Sequence, residues 1–229
     1  MRNLPRKNSR LVFFAAAMSL LISVANRGMA VEPSTAEVKS STDVFARLEA
    51  REKETSSVSF DFAQTVRFDI QDYVQKNTGS VIFMKPGHLR IELKKPIRQI
   101  TVSDGKTLRN YNADTNQLVV SDWKKIKDTG MLFGWPDSFA GNISAIRDKY
   151  NLKQVESSTD TIKLALEDRK SGFAMFMLFD ASSLDPLSTE LVSKGVKITT
   201  DISGFKRNPA LAKDTFKFTP PKGAEIIRQ

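Results

Sequence analysis

Residues 58–70, V-S-F-D-F-A-Q-T-V-R-F-D-I, alternate with a period of two. Val58, Phe60, Phe62, Val66, Phe68 and Ile70 take even positions, with Gln64 interrupting the apolar series. The odd positions from Ser59 to Asp69 are small, polar or charged. Successive side chains of a strand point to opposite faces, so this stretch predicts one strand with an apolar face and a wetted face. It is longer than the usual strand of about 5–6 residues. Such a strand belongs to a broad apolar sheet face, which needs a cover.

The same signal recurs along the chain. Gly79–Lys85 reads as a strand stopped by Pro86-Gly87. His88–Lys94 is the next, with Leu89, Ile91 and Leu93 alternating against Arg90 and Glu92, and Pro96 ends it. Ile97–Ser103 and Thr107–Tyr111 flank Asp104-Gly105, a hairpin dipeptide. Leu118–Trp123 continues the meander, and strands resume at Tyr150–Glu156, Thr161–Glu167, Phe173–Phe179, Ser188–Ser193 and Val196–Ile202. Thr215–Thr219 and a short strand ending in Ile226-Ile227 close the chain.

Two segments depart from this period. Ahead of the first strand, D-V-F-A-R-L-E-A-R-E-K-E predicts a helix from about Asp43 to Thr55, with Val44, Phe45 and Leu48 on one side. Between 124 and 148, Met131, Leu132, Phe133, Trp135, Phe139, Ile143 and Ile146 follow no period of two, and Pro136 and glycines punctuate them. That pattern predicts one or two short helices. The expected fold is mainly β (α+β): an incomplete antiparallel barrel of about ten or eleven strands, since large sheets curl. The N-terminal helix and a short helical lid would be the internal material over its apolar concave face.

Composition and charge narrow the setting. Arg2, Arg6, Lys7 and Arg10 precede an apolar stretch from Leu11 to Ala25, and Gly28-Met29-Ala30 supplies small residues for cleavage. The stretch is short for a span of about 20 residues, so residues 1–30 read as a cleavable signal peptide. Residues 31–42 are polar and read as a flexible segment, and 43–229 as a single domain. The formal charge is +9, but five basic residues and no acid lie in 1–30, leaving about +4 for the exported chain. With no Arg-rich block, that is no nucleic-acid signature. There is no cysteine, which excludes disulfides, thiolate metal sites and an N-terminal lipid anchor. The expected location is an exported compartment, and the default oligomeric state is a monomer.

Chemistry-bearing motifs do not emerge. The one histidine, His88, stands beside a turn without ligand partners at metal spacing. No G-x-S-x-G motif is present, and G-F-A-M-F-M at 172–177 opens a strand, whereas a phosphate loop opens a helix. The sequence therefore reads as a non-enzyme with no cofactor and no metal. What stands out is the apolar face: Phe60, Phe62, Val66, Phe68, Ile70, Val81, Phe83, Leu89, Ile91, Leu93, Ile100 and Val102, with Val58 alongside. For each residue alone, an ordinary core is an even alternative. Together, a few short helices look small against a trough of about ten strands, and an apolar trough with a removable cover suits a lipid. Met131, Leu132, Phe133 and Trp135 are the lid candidates.

The ordered set T-V-S-D-G-K-T-L-R-N-Y-N (101–112), G-S-V-I-F-M-K-P (79–86), F-x-Q (62–64) and F-K-F-T-P-P-K-G (216–223) resembles the outer-membrane lipoprotein carrier (LolA) family across roughly residues 40–227. The resemblance implies a half-barrel with a helical lid that takes acylated lipoproteins from an inner-membrane LolCDE-type ABC transporter. It implies delivery to an outer-membrane LolB-type acceptor. It also implies that Lys85, standing where the family typically has arginine, latches the lid; lysine keeps the charge and loses the planar fork. Leu89, Ile91 and Arg109 depart from the family's aromatic positions. They leave open a carrier or sensor of another lipid or glycolipid; a protein-binding module with a filled core is a separate third reading.

Overall fold

The computed structural model describes residues 41–69, 73–124, 131–132, 135–136, 151–168 and 172–229. Thr35–Gln229 forms one compact unit. The expected signal peptide and most of the polar segment after it lie outside the described residues, as do Ile70 and Phe133.

The chain opens with α1 (Ser41–Glu54), then runs through β1 (Ser57–Phe68), β2 (Tyr73–Met84), β3 (His88–Lys95), β4 (Gln99–Asp104), β5 (Thr107–Asn112) and β6 (Gln117–Asp122). Two short strands, β7 (Met131–Leu132) and β8 (Trp135–Pro136), follow. The second half is β9 (Asn151–Ser157), β10 (Thr161–Asp168), β11 (Phe173–Asp180), β12 (Pro186–Ser193), β13 (Val196–Arg207) and β14 (Glu225–Arg228). Twelve strands make one sheet in the order β14-β6-β5-β4-β3-β2-β1-β13-β12-β11-β10-β9. The order is linear, ending at β14 and β9, so the sheet is an open, curled one and not a closed barrel. Neighbours are antiparallel except β14, which pairs parallel to β6.

Three details differ from the sequence expectation. The strand after the first turn starts at Tyr73, well before Gly79, because β1 and β2 pair along their whole length from Ser57↔Met84 to Phe68↔Tyr73. Residues 215–219 are not a strand; the amides of Thr215 and Lys217 turn back onto the carbonyls of Ala212 and Asp214. In the predicted helical lid, Met131–Leu132 and Trp135–Pro136 pair with each other as a two-stranded ladder.

The core is in two parts on one face of the sheet. Val44, Phe45 and Leu48 of α1 pack on Ile162, Leu164 and Leu166 of β10, on Met175, Met177 and Phe179 of β11, and on Leu184. A second cluster comprises Val58, Phe60, Phe62, Val81, Phe83, Leu89, Ile91, Leu108 and Trp123, with Leu93, Ile202 and Phe205 against it. The register joins them: Leu164↔Met177, Met177↔Thr189, Thr189↔Thr200, Gln64↔Thr200 and Gln64↔Asn77 are direct partners, which share a side of the sheet. The inner face, the one that carries α1, is thus continuous from β10 to β3.

Candidate functional site

The inner face of β1–β3 is built by three cross-strand rows. Val58 faces Phe83, and Phe83 faces Leu89; Phe60 faces Val81, and Val81 faces Ile91; Phe62 faces Gly79, and Gly79 faces Leu93. Gly79 has a specific reason. A Cβ there would collide with the Glu92 carbonyl oxygen and lie 2.8 Å from the Phe62 ring, so the Phe62 ring rests directly on the β2 backbone. Phe60 also stacks on Phe205 at 6.0 Å between ring centroids. Val58, Phe60, Phe62, Val81, Phe83, Leu89 and Ile91 are each no more than 6 % exposed, so the face is covered in this state.

Burial falls along the strands. Val66 and Phe68 are half-buried, and Tyr73, whose ring lies 6.1 Å from that of Phe68, is 51 % exposed. The end of the face at Val58 and Phe83 is therefore closed, and the end at Phe68 and Tyr73 is open to solvent. Between them lies a polar row. Gln64 donates to the Thr200 hydroxyl (3.2 Å), Asn77 donates to the Gln64 carbonyl oxygen (3.1 Å), and Gln75 donates to that of Asn77 (2.8 Å).

The register corrects two of the expected trough residues. Leu89, Ile91 and Leu93 pair with Ser103, Thr101 and Gln99, odd positions with odd positions. The apolar positions of β4 are the even ones, so Ile100 and Val102 point to the outer face, opposite Glu92 and Arg90. From β4 to β6 the sheet therefore inverts its apolar side. Inside, Gln99 donates to Asn110 (2.7 Å) and Asn110 donates to the Thr101 hydroxyl (3.0 Å). Outside, Val102, Tyr111 and Leu118 are buried. The C-terminal segment supplies the cover there: Phe218 lies 5.3 Å from Tyr111, Phe216 lies 5.3 Å from His88, and Arg90 donates to the Thr215 carbonyl (3.2 Å). Leu108 is the exception on β5, returning to the inner cluster opposite Ser103.

The partners of Lys85 lie at the end of α1. Its ammonium donates to the Glu52 carbonyl (2.8 Å) and lies 3.9 Å from the Glu52 carboxylate. Glu52 is in the last turn of α1, where carbonyls lack helical partners and the helix dipole favours a cation. Other groups complete that terminus: the Thr55 hydroxyl donates to Arg51 O (2.6 Å) and Asn208 Nδ2 to Glu54 O (2.9 Å). Asn208 also accepts from the amides of Ser56 (2.8 Å) and Ser57 (3.2 Å) through Oδ1. With φ at +47° it sits in the left-handed region, which asparagine tolerates well. Sequence reasoning had no signal for Asn208, because its partners lie about 150 residues earlier. Arg47 fixes the helix further, donating to Ala181 O at 2.9 Å. Arg109 faces outward and pairs with Asp104 at 2.8 Å, so this departure from the family pattern lies off the inner face.

Among the described residues no group of His, Cys, Asp or Glu is placed to hold a metal ion, and no helix is long and apolar enough to cross a membrane. An open sheet with a fixed helix on one flank of its inner face and a graded apolar surface on the other defines a one-sided β scaffold of the half-barrel class. The chain belongs to the outer membrane lipoprotein carrier protein LolA family, whose sequence profile matches residues 53–219. It is 26 % identical over 224 residues to an outer-membrane lipoprotein carrier protein of Neisseria meningitidis serogroup B, covering 96 % of this chain and 98 % of that one. A protein of the same name from Legionella pneumophila is 25 % identical over 186 residues, covering 80 % of this chain and 88 % of that one. Among solved structures, a conserved protein of Thermus thermophilus superposes with a TM-score of 0.53 at 20 % identity, covering 83 % of this chain and all of that one, which shows the shared fold.

Proposed function

We propose that this chain is a periplasmic carrier that holds the acyl chains of lipoproteins in the trough formed by β1, β2 and β3. The observation that carries the reading is the graded inner face. It is apolar and closed at Val58, Phe83 and Leu89, and half-buried toward Val66 and Phe68. A ligand that must be loaded and released needs such a closed end and an open one.

Energetics set what the carrier must do. An acyl chain of some sixteen carbons costs of order 12 kcal/mol to hold in water, at about 0.8 kcal/mol per methylene. The trough is covered before cargo arrives, so cargo displaces the cover, and the competition keeps net affinity moderate while avoiding an exposed apolar patch. Met131, Leu132, Phe133 and Trp135 are the proposed cover. Lys85 acts by holding the end of α1, and α1 in turn frames the junction with β1. Residues 1–30 serve as the signal peptide and 43–229 as the working domain, a monomer. Loading is from a LolCDE-type ABC transporter in the inner membrane and delivery is to the outer membrane, through a LolB-type acceptor where one exists. The name of the relatives, outer-membrane lipoprotein carrier protein, supports the cargo and the destination.

A second reading is a carrier or sensor of another lipid. Leu89 and Ile91 favour it, since aliphatic residues in the buried part of the trough alter its shape relative to the aromatic family pattern. The test is isolation of the chain from the periplasm of its own host, with analysis of what comes with it. Many acylated proteins are the expected companions. A single free lipid or glycolipid would favour the second reading, and neither would overturn both.

A further inference from the structure

We infer that Gln64, Asn77 and Gln75 form a rung that hydrogen-bonds the ester or amide carbonyls joining acyl chains to their polar head. This inference rests on the proposed function and adds where the ligand's linkage sits and what recognises it. The rung crosses an inner face that is apolar on both sides of it: Phe62 and Ile202 toward the closed end, Val66 and Ile198 toward the open one. Placing three carboxamides there loses apolar contact; Asn77 is buried and Gln64 and Gln75 are half-buried, and an amide drawn out of water costs free energy unless it is paired. Their mutual bonds meet that cost only in part. Each amide nitrogen carries two N–H groups, and the bonds to Thr200, Gln64 and Asn77 use one on each.

The ligand chemistry follows from the donors. The rung is neutral, and so are the residues beside it on the same cross-strand row, Thr200 and Thr189. Neutral donors suit a carbonyl, whereas a phosphate or carboxylate calls for Arg or Lys. Position agrees with chemistry. From Val58 to Gln64 the strand rises about 20 Å at roughly 3.3 Å per residue, room for a long acyl chain lying toward the closed end. Beyond the rung, Phe68 and Tyr73 stand at the open end, where a hydrophilic head or a polypeptide leaves the trough.

The experiment compares two probes on the full exported chain. One is a synthetic lipopeptide whose cysteine carries a glyceryl group with two ester-linked hexadecanoyl chains. The other carries the same chains through ethers, which lack the carbonyls. The wild type is expected to bind the ester probe about tenfold more tightly, or ~1.4 kcal/mol. Gln64→Leu is expected to erase that preference while leaving ether affinity within about twofold, a change of the size of one or two hydrogen bonds. Should Gln64→Leu not fold, Gln75→Leu, half-buried and one row nearer the open end opposite Val66, replaces it with the same expectation. Equal wild-type affinity for both probes overturns the inference and leaves the carrier function standing, as does an ester preference that survives the substitution. Failure of the wild type to bind either probe overturns the carrier function and the inference with it.

Discussion

The two flanks of the inner face differ in what holds their cover. On β10 and β11, Leu164, Leu166 and Met175 are each 1 % exposed beneath α1, and the helix is tied down by Arg47, Lys85 and Asn208. On β1–β3 an equally apolar set is buried together with Trp123, the one member of that cluster among the described residues that lies outside the sheet strands. The same period of two wrote both flanks. A helix fixed through its backbone carbonyls makes a permanent core. On the proposed function, the β1–β3 face is the one that exchanges its cover for a ligand.

That contrast is breakable by substitution. The largest effect is expected from Phe83→Glu. An unpaired carboxylate would sit between Val58 and Leu89, and binding of acylated peptide should fall more than about 100-fold, since burying a charge costs several kcal/mol. The fold should survive if the cover over Phe83 is exchangeable, since the carboxylate then reaches water when the cover lifts, and circular dichroism checks this. Unfolding of that variant would make β1–β3 ordinary core. Leu164→Ala, beneath α1, should do the reverse: a loss of about 2–5 kcal/mol in chemical denaturation, with lipid affinity unchanged for the folded fraction.

Smaller effects sharpen the boundary. Lys85→Leu removes a charge-assisted bond at a helix terminus and should cost about 1–2 kcal/mol. The measurement is hydrogen exchange, which should quicken at the C-terminal end of α1 ahead of the sheet. Val102→Ala on the outer face should cost roughly 2 kcal/mol and leave lipid binding untouched; a binding defect there would put β4 back in the trough.

The smallest effect is electrostatic. Partial burial pushes the Asp104 carboxyl up, but the Arg109 guanidinium and the amides of Thr107 and Lys106 outweigh it and hold it at about 2, below the ordinary 3.8. A depressed folded-state value stabilises the protein above the unfolded value and is lost as pH falls from about 4 to about 2. The side chain is 40 % exposed, so solvent screening limits the contribution to a few tenths of a kcal/mol. Asp104→Asn should flatten the stability profile by that amount in this window.

These contrasts also mark what was legible in the sequence. Alternation locates β1, β3, β5, β6 and most strands of the second half to within a few residues, although β13 runs on past Ile202 to Arg207 and residues 215–219 alternate without forming a strand. It gave each strand two faces without saying which is inside. That is set by the pairing of Leu93 with Gln99, which couples odd to odd across a hairpin whose apolar residues change from odd to even. Ile100 and Val102 were therefore assigned to the wrong side, and the polar inner set of Thr101, Gln99 and Asn110 went unseen. Phe216 and Phe218 alternate like a strand, yet their role is to cover the residues so displaced. The resemblance implies a lid latch at Lys85, while the partner the structure gives it is a backbone carbonyl of α1, which has no sequence signature.

The most direct test of the account is a photoreactive amino acid in place of Phe68, at the open end of the trough, expressed in the native host, with a second at Ile100 on the outer face as the comparison. The account predicts adducts with many acylated proteins from position 68 and none from position 100. Crosslinks from position 68 confined to the chain itself would mean that the β1–β3 face is core like the α1 flank, and would contradict the carrier reading.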